Sequence, residues 1–285
     1  MTEGFMTTMQ ENIFLKRDQL LDWFREFGEV FVAFSGGVDS SVLAKAAFLA
    51  CPEGARAVFF ESATSLFEEK PRVESVAAAI GIPLEILSGE EFADQDFCKN
   101  DEKRCYYCKR VRFSQLLKRS PGDSGVVFVE GSNADDLFDY RPGKKAAEEL
   151  NVRAPLAELG FSKQEVRKLA RFWNLPNWNL PSEPCLATRV DYDIELKPEL
   201  LDRIREAEAF LKRQGISLLR VRYHGNDLVR IEVEPDSMAL FSTKDFRENL
   251  LLKFQELGFR FITLDLNGFR SGSMDRPENT DKRKT

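Results

Sequence analysis

Short apolar runs alternate with helical patterns along the first half of the chain. The runs have the length of buried strands, and apolar residues recur at helical spacing between them. The predicted order is a helix at 11–27, a strand at 30–34, a helix at 42–48, a strand at 55–60, a helix at 68–80, a strand at 84–87, a helix at 108–118 and a strand at 126–130. This alternation predicts an α/β fold, a parallel sheet with helices on both faces, in which ligands bind beyond the carboxyl ends of the strands.

The pattern changes after residue 191 to one typical of a smaller α+β domain. The predicted elements there are a charged helix at 197–214, strands at 218–223 and 228–233, a helix at 246–257 and a strand at 259–264. A Pro-rich stretch precedes this change, so we divide the chain into an α/β domain over 12–188 and a second domain over 189–272. Residues 1–11 lack periodicity and 273–285 are polar, so both ends are expected to be flexible.

Composition and charge exclude some classes of function. The formal net charge of −6 gives no general attraction to nucleic acid or to an anionic membrane. No signal peptide and no apolar run of about 18 residues is present, so we expect a cytoplasmic protein that does not enter membranes. Five cysteines are too few and too scattered for a disulfide framework, which leaves metal, redox or catalytic roles for those that cluster.

A glycine loop, Ser-Gly-Gly-Val-Asp-Ser-Ser at 35–41, follows the strand predicted at 30–34. Its glycines let backbone N–H groups approach an anion, and Ser40 and Ser41 are expected to cap the next helix, where a pyrophosphate would lie. The loop lacks the lysine of a Walker A motif. It resembles the PP-loop of ATP pyrophosphatases, which activate a carboxylate or base carbonyl as its adenylate, with an aspartate at the position of Asp39 near magnesium. The residues expected at ATP are Ser35, Gly36, Gly37, Asp39, Ser40 and Ser41.

A second acidic loop, Glu-Gly-Ser-Asn-Ala-Asp-Asp at 130–136, follows the strand predicted at 126–130. It resembles the segment that many PP-loop enzymes place beside ATP. We expect Gly131 and Asp135 to contact ATP and Asp136, with Asp39, to bind Mg²⁺, because hard cations favour carboxylate oxygens. The alternative is an Asx-rich helix start.

Cys105 and Cys108 form a C-x-x-C pair, and Cys185 lies much later in the chain. Three thiolates on a [4Fe-4S] cluster would leave one iron open for a non-protein ligand such as sulfur. A zinc site, a redox dithiol or structural thiols are the alternatives.

Further motifs extend the resemblance to nearly the whole chain, over residues 12–272. They are Asp-Tyr-Arg-Pro-Gly at 139–143, Arg-Ala-Pro-Leu at 153–156, Cys-Leu-Ala-Thr-Arg at 185–189, Leu-Arg-Val-Arg-Tyr-His at 219–224 and Leu-Asp-Leu-Asn-Gly-Phe-Arg-Ser-Gly at 264–272. Together with the two loops they resemble the LarE family, ATP-dependent sulfur transferases of nickel-pincer nucleotide synthesis. The resemblance implies adenylation of a carboxylate of pyridinium-3,5-biscarboxylic acid mononucleotide and its conversion to a thiocarboxylate.

The source of sulfur differs within that family. Some members sacrifice one cysteine, which becomes dehydroalanine, and others hold a [4Fe-4S] cluster on three cysteines. This chain has the three-cysteine pattern, with Cys185 and Asp39 as expected catalytic residues, but sacrifice of Cys185 stays open. A desulfurase or free sulfide would supply the sulfur, and a homo-oligomer is expected by analogy.

Arginines are the expected ligands of the substrate phosphate. Arg220 and Arg222 alternate on one predicted strand, so their guanidinium groups should point the same way. Arg189 and Arg270 match family positions near the substrate. A solvated strand face is the alternative for the first pair, and Glu232 is either a metal ligand by analogy or part of a surface charge pair.

Three other functions remain open. A tRNA thiolase can combine a PP-loop with three cluster cysteines, and it would bind tRNA with steep salt dependence. An amide-forming synthetase would bring ammonia to the adenylate and need no iron. A nucleotide sensor would bind ATP without producing AMP or pyrophosphate.

Overall fold

The computed structural model describes residues 2–119, 125–137, 142–270 and 272–274, with only the backbone for 2–12 and 137. Two compact units make up the chain. In chain order the elements are α1 Thr2–Arg25, β1 Glu29–Ala33, α2 Val38–Ala50, β2 Ala55–Glu61, α3 Glu69–Ile80, β3 Leu84–Ser88, α4 Gln95–Cys98, α5 Arg104–Leu117, β4 Val126–Val129, α6 Pro142–Glu149, α7 Pro155–Glu158, α8 Lys163–Phe172, α9 Pro198–Arg213, β5 Leu219–Tyr223, β6 Leu228–Val233, α10 Lys244–Glu256 and β7 Phe261–Leu264.

The first unit contains a parallel sheet in the order β3-β2-β1-β4, as far as the chain is described. Val32 of β1 is aligned with Ala57 of β2 on one side and with Val129 of β4 on the other. Strand β1 is rich in β-branched and aromatic residues and is almost completely buried, as expected for a strand covered on both faces. The predicted α/β fold is confirmed, and the loops after β1 and β4 lie at neighbouring carboxyl ends.

Most helix and strand limits differ from the predicted ones by up to four residues, and the start of α1 differs by more. Helix α1 begins at Thr2, so residues 2–11 are not the loose segment that we expected. The segment contains no proline, and a helix anchored by its later turns extends at little cost. Helix α5 begins at Arg104 rather than near 108, so Cys105 and Cys108 both lie in its first turns.

The second unit contains a smaller mixed sheet, in which β5 pairs antiparallel with β6 and β6 pairs parallel with β7. Arg220 of β5 is aligned with Glu232 of β6. Helix α9 contributes Glu208, whose carboxylate accepts a hydrogen bond from the Val221 N–H at 3.0 Å. The α+β character of this part agrees with the sequence pattern.

The two units are not the contiguous segments divided at 188/189 that we predicted. The first comprises 1–61, 68–91 and 105–183, and the second comprises 62–67, 92–104 and 184–285. Long-range polar contacts cause the difference: Arg205 donates to the carbonyls of Ala63 and Ser65, and Asn100 donates to that of Asp191. Hydrophobic periodicity carries no signal for such contacts.

Some predictions about the ends and one loop concern residues outside the described part. These are Met1, residues 139–141 of the Asp-Tyr-Arg-Pro-Gly motif, Ser271 and the tail at 275–285. Of the tail expected to be flexible, Ser273 is described, and its hydroxyl donates to the Glu232 carboxylate at 2.5 Å.

Candidate functional site

A cavity of about 480 Å³ lies at the carboxyl ends of β1 and β4, entirely within the first unit. This volume lies in the range of small-ligand sites. The predicted residues that line it are Ser35, Gly37, Asp39, Ser40, Gly131, Asp135 and Asp136. The structure therefore brings the two loops together around one cavity.

The glycine loop has a conformation that explains its composition. Gly36 has φ +66, and a Cβ there would lie 2.9 Å from Cγ2 of Val73, so a larger residue would be strained and would clash. The hydroxyls of Ser40 and Ser41 both donate to the Gly37 carbonyl, at 3.1 and 2.8 Å.

The predicted capping role of Ser40 and Ser41 is wrong. The N-cap of α2 is Gly37, and it makes no side-chain capping hydrogen bond. The two serines lie inside the first turn, from which their side chains reach back to a carbonyl instead of accepting from the helix. The first N–H groups of α2 therefore have no side-chain cap and are available to an anion.

The second loop orients Asp39. A Cβ on Gly131 would lie 3.1 Å from the Ser40 nitrogen, so the two loops are in close contact. Asn133 donates from Nδ2 to Oδ1 of Asp39 at 3.1 Å, and its own N–H donates to Asp136 at 3.1 Å. Mg²⁺ fits this donor set, since it usually takes only one or two protein carboxylates and keeps several waters.

Lys163 is a residue of this cavity that sequence reasoning missed. Its ammonium donates to Oδ2 of Asp39, and its backbone N–H donates to Asp135 at 2.8 Å. The sequence does contain a partial signal, because Ser-Lys-Gln-Glu at 162–165 has the spacing of a capping box. The structure has this box between Ser162 and Glu165, and it fixes Lys163 as the first residue of α8. The sequence does not show which loop this helix begins against.

Two more cations line the cavity from α5, and both are held by buried carboxylates. Lys109 donates to Glu130 at 2.8 Å, and Arg112 donates to Glu91 at 2.6 Å. Burial tends to raise the pKa of the Glu130 carboxyl, but the charge and hydrogen bond of Lys109 outweigh it, so this pKa lies below its usual range. In the sequence, the only visible sign of a role for Lys109 and Arg112 is that they lie close to the C-x-x-C pair.

Cys105 and Cys108 lie three residues apart on α5, with Cys105 exposed and Cys108 partly buried. Cys105 precedes Lys109 by four residues and Cys108 precedes Arg112 by four, so the thiols share helix rows with the cations that line the cavity. Cys185 is exposed and belongs to the second unit. Among the described residues, no group of three or more His, Cys, Asp or Glu side chains is arranged to bind a metal. This part of the structure therefore contains no assembled site for the expected [4Fe-4S] cluster.

The arginines predicted for the substrate phosphate lie in the second unit, where three of them are buried. Arg222 is 2% exposed and donates to Glu232, which is 0% exposed, at 3.1 Å. Arg189 donates to Glu208 at 2.9 Å. Both of the milder alternatives are therefore wrong: β5 does not present a solvated arginine face, and Glu232 is not part of a surface pair. The opposing carboxylates on β6 and α9 allow these guanidinium groups to be buried.

The buried arginines repel one another and leave donor capacity unused. Burial, followed by the charges of Arg189 and Arg222, lowers the pKa of Arg220 to about 10. Nη2 of Arg222 is buried without a hydrogen-bond partner among the described residues. Arg270 donates to Asp265 at 3.2 Å rather than to Glu208 or Glu232. An anion would relieve the repulsion and satisfy the free donor.

Several curated proteins are similar to this chain in sequence, although no protein-family model matches it. The chain is 38% identical to an uncharacterized protein of Synechocystis, over 92% of this chain and 97% of that protein. It is 32% identical to the pyridinium-3,5-bisthiocarboxylic acid mononucleotide synthase of Lactiplantibacillus plantarum, over 91% of this chain and 94% of the relative. It is also 23% identical to the NH₃-dependent NAD⁺ synthetase of Helicobacter pylori, over 72% and 81% of the two chains.

A parallel sheet whose first strand ends in this glycine loop, beside an acidic second loop, defines the chain as a PP-loop enzyme of the ATP pyrophosphatase class. Within that class the chain belongs to the LarE family.

None of the helices in the described part is both long and apolar enough to cross a membrane.

Proposed function

We propose that this chain is an ATP-dependent sulfur transferase acting on pyridinium-3,5-biscarboxylic acid mononucleotide. A substrate carboxylate attacks the α-phosphorus of ATP and pyrophosphate leaves, and sulfide equivalents then attack the acyl carbon, so that AMP leaves and a thiocarboxylate forms. The relative at 32% identity is named for the bisthiocarboxylic acid mononucleotide. The observation that carries the proposal is the cavity in which the glycine loop, Asp39 and Lys163 meet.

The cavity residues suit the adenylation step. Phosphate oxygens would accept from the uncapped N–H groups of the first turn of α2. The Lys163 ammonium lines the same cavity and would donate to a phosphate oxygen. Asp39 and Asp136 would hold Mg²⁺, which supplies charge neutralisation for the leaving pyrophosphate. Much of the rate would come from holding both reactants in one orientation.

The three cysteines are proposed to deliver the sulfur. Cys105, Cys108 and Cys185 would hold a [4Fe-4S] cluster that carries it, a proposal supported by the shared helix rows of the C-x-x-C pair and the cavity cations. Loss of the sulfur of Cys185 itself is the alternative. An external donor, a desulfurase or free sulfide, would replenish the sulfur.

We also propose that the protein is cytoplasmic and forms a homo-oligomer. Its activity would not require nucleic acid.

Anaerobic purification with iron and sulfide analysis tests the sulfur transfer. The reconstituted wild type is expected to contain iron and to form a thiocarboxylate, and Cys105→Ser and Cys185→Ser are expected to lose both. A chain that loses the mass of one sulfur at Cys185 after turnover would instead identify a sacrificial cysteine. Formation of an amide with ammonia, without any thiocarboxylate, would contradict sulfur transfer.

The substrate phosphate is proposed to bind the arginine cluster of Arg189, Arg220 and Arg222, with Arg270 beside it. The unpaired Nη2 of Arg222 and the lowered pKa of Arg220 support an anion there. A bound phosphate favours the protonated guanidinium, so its binding energy should be present at neutral pH and lost as the pH rises through the pKa of Arg220.

Inorganic phosphate should therefore raise the melting temperature at neutral pH, and this shift should shrink near pH 10, the value to which the pKa of Arg220 is lowered. Differential scanning fluorimetry measures it. In the Arg220→Met variant, phosphate should raise the melting temperature less at neutral pH than in the wild type. This smaller increase should not decline further towards pH 10. A wild-type shift that stays constant across this range would exclude Arg220 from the phosphate site.

A further inference from the structure

Asn177, which the sequence does not single out, contacts both ends of the glycine loop within the first unit. Its side chain is 6% exposed, and Nδ2 donates to the Gly36 carbonyl at 2.8 Å and to the Ser41 hydroxyl at 2.9 Å. The amide oxygen of the same side chain is buried without a hydrogen-bond partner among the described residues. Because such an acceptor is unfavourable for packing alone, we interpret Asn177 as a residue that fixes the loop.

Helix α3 contacts Gly36 from a second direction and also holds Glu183. The Cα of Gly36 packs against Val73 so closely that a Cβ would lie 2.9 Å from Cγ2. The neighbouring Arg72 donates from Nη1 to Oε2 of Glu183 at 2.8 Å. Glu183 is therefore connected, through its ion pair with Arg72 and the adjacent Val73, to the same glycine that Asn177 contacts.

The residues between these two anchors, 177–183, form what we call the anchored segment. It contains no helix or strand, and Ser182 within it lines the nucleotide cavity. Its first residue is bonded to Gly36, and its last is bonded to the helix that packs on Gly36. A change in the backbone of Gly36 would consequently reach both ends of the segment, since packed and hydrogen-bonded groups move together.

Cys185 follows Glu183 by two residues. We propose that Asn177 and Glu183 are positioning residues that make the placement of the Cys185 thiol depend on whether the glycine loop holds a nucleotide. This proposal rests on the proposed binding of ATP at that loop. Its chemical consequence is that the reactivity of this thiol would follow the occupancy of the glycine loop.

The alkylation rate of Cys185 tests the proposal in the full chain purified without added iron. Iodoacetamide labelling is followed by peptide mass spectrometry, with and without Mg²⁺ and α,β-methylene-ATP, which cannot form an adenylate. We expect saturating nucleotide to change the wild-type rate by about fivefold or more. In Asn177→Ala and Glu183→Gln, also saturated with nucleotide, the ratio of the two rates should fall to near one. Asn179→Ala, an exposed residue of the same segment, should keep the wild-type ratio.

The outcomes separate this inference from the function on which it rests. A wild type that binds the analogue without any change in Cys185 labelling would overturn the inference alone, as would an unchanged ratio in Asn177→Ala. A wild type that does not bind the analogue would overturn the proposed function as well. If Asn177→Ala does not fold, Arg72→Gln removes the ion pair with Glu183 from its other side, at a partly exposed position. Retention of the wild-type ratio in Arg72→Gln would also contradict the proposal.

Discussion

The Lys163→Met variant is expected to form pyrophosphate about 10²- to 10³-fold more slowly than the wild type, the usual cost of removing one preorganised donor from a transition state. Lys163 contacts Asp39 and lines the cavity where the phosphates are proposed to bind. Its ion pair is partly exposed and contributes at most about 1 kcal/mol to folding, so the melting temperature should change little. Steady-state release of pyrophosphate at several ATP concentrations measures the effect on kcat and KM.

Lys168→Met is the matched control for this result. Lys168 lies on the same helix and is exposed, so its replacement removes an equal charge outside the cavity. It should leave pyrophosphate release close to the wild-type rate. Equal losses in both variants would attribute the effect to net charge, and a wild-type rate in Lys163→Met would remove this lysine from the mechanism.

The Arg222→Met variant is expected to lose about 3 kcal/mol of the free energy of unfolding, because it breaks a buried ion pair and leaves one charge behind. Glu232 would keep Arg230, which donates to it at 2.9 Å, as a charged partner. The same variant should lose the stabilisation by inorganic phosphate that we propose for the arginine cluster. Urea denaturation, with and without phosphate, measures both effects.

The double variant Arg222→Met/Glu232→Gln separates folding from binding. It also removes the Glu232 charge that has lost Arg222, so it should recover part of the lost stability without recovering the effect of phosphate. Wild-type stability of Arg222→Met would mean that the buried pair contributes nothing. A phosphate effect that persists in both variants would place the substrate phosphate elsewhere.

The local structure around the glycine loop was predictable because the sequence specifies it locally. An apolar run, two glycines and a following helical pattern predict a strand, a close backbone approach and a helix, and the structure has β1, Gly36 and α2 in that order. Parallel strands place their carboxyl ends on one edge, so the acidic loop after β4 was expected beside the first. The capping role predicted for Ser40 and Ser41 was wrong because only the residue directly before the first turn can cap a helix. A small error in the predicted start of a helix therefore changes which residue is its cap.

The remaining parts of the site depend on contacts between distant residues. Asn177 is 141 residues from the Gly36 carbonyl that it contacts, and Lys163 is 124 residues from Asp39, so neither pairing has a local signal. The alternation of Arg220 and Arg222 indicated a shared direction. It could not show that this direction is buried, because the carboxylates that make burial possible come from β6 and α9.

Phosphorus NMR of the products formed from ATP, Mg²⁺ and the biscarboxylic acid mononucleotide is the most direct test of the central claim. If the glycine loop binds the β- and γ-phosphates so that the α-phosphorus is attacked, AMP and pyrophosphate appear in equal amounts and only when the acid is present. Formation of ADP and inorganic phosphate, or of no product at all, would contradict the account.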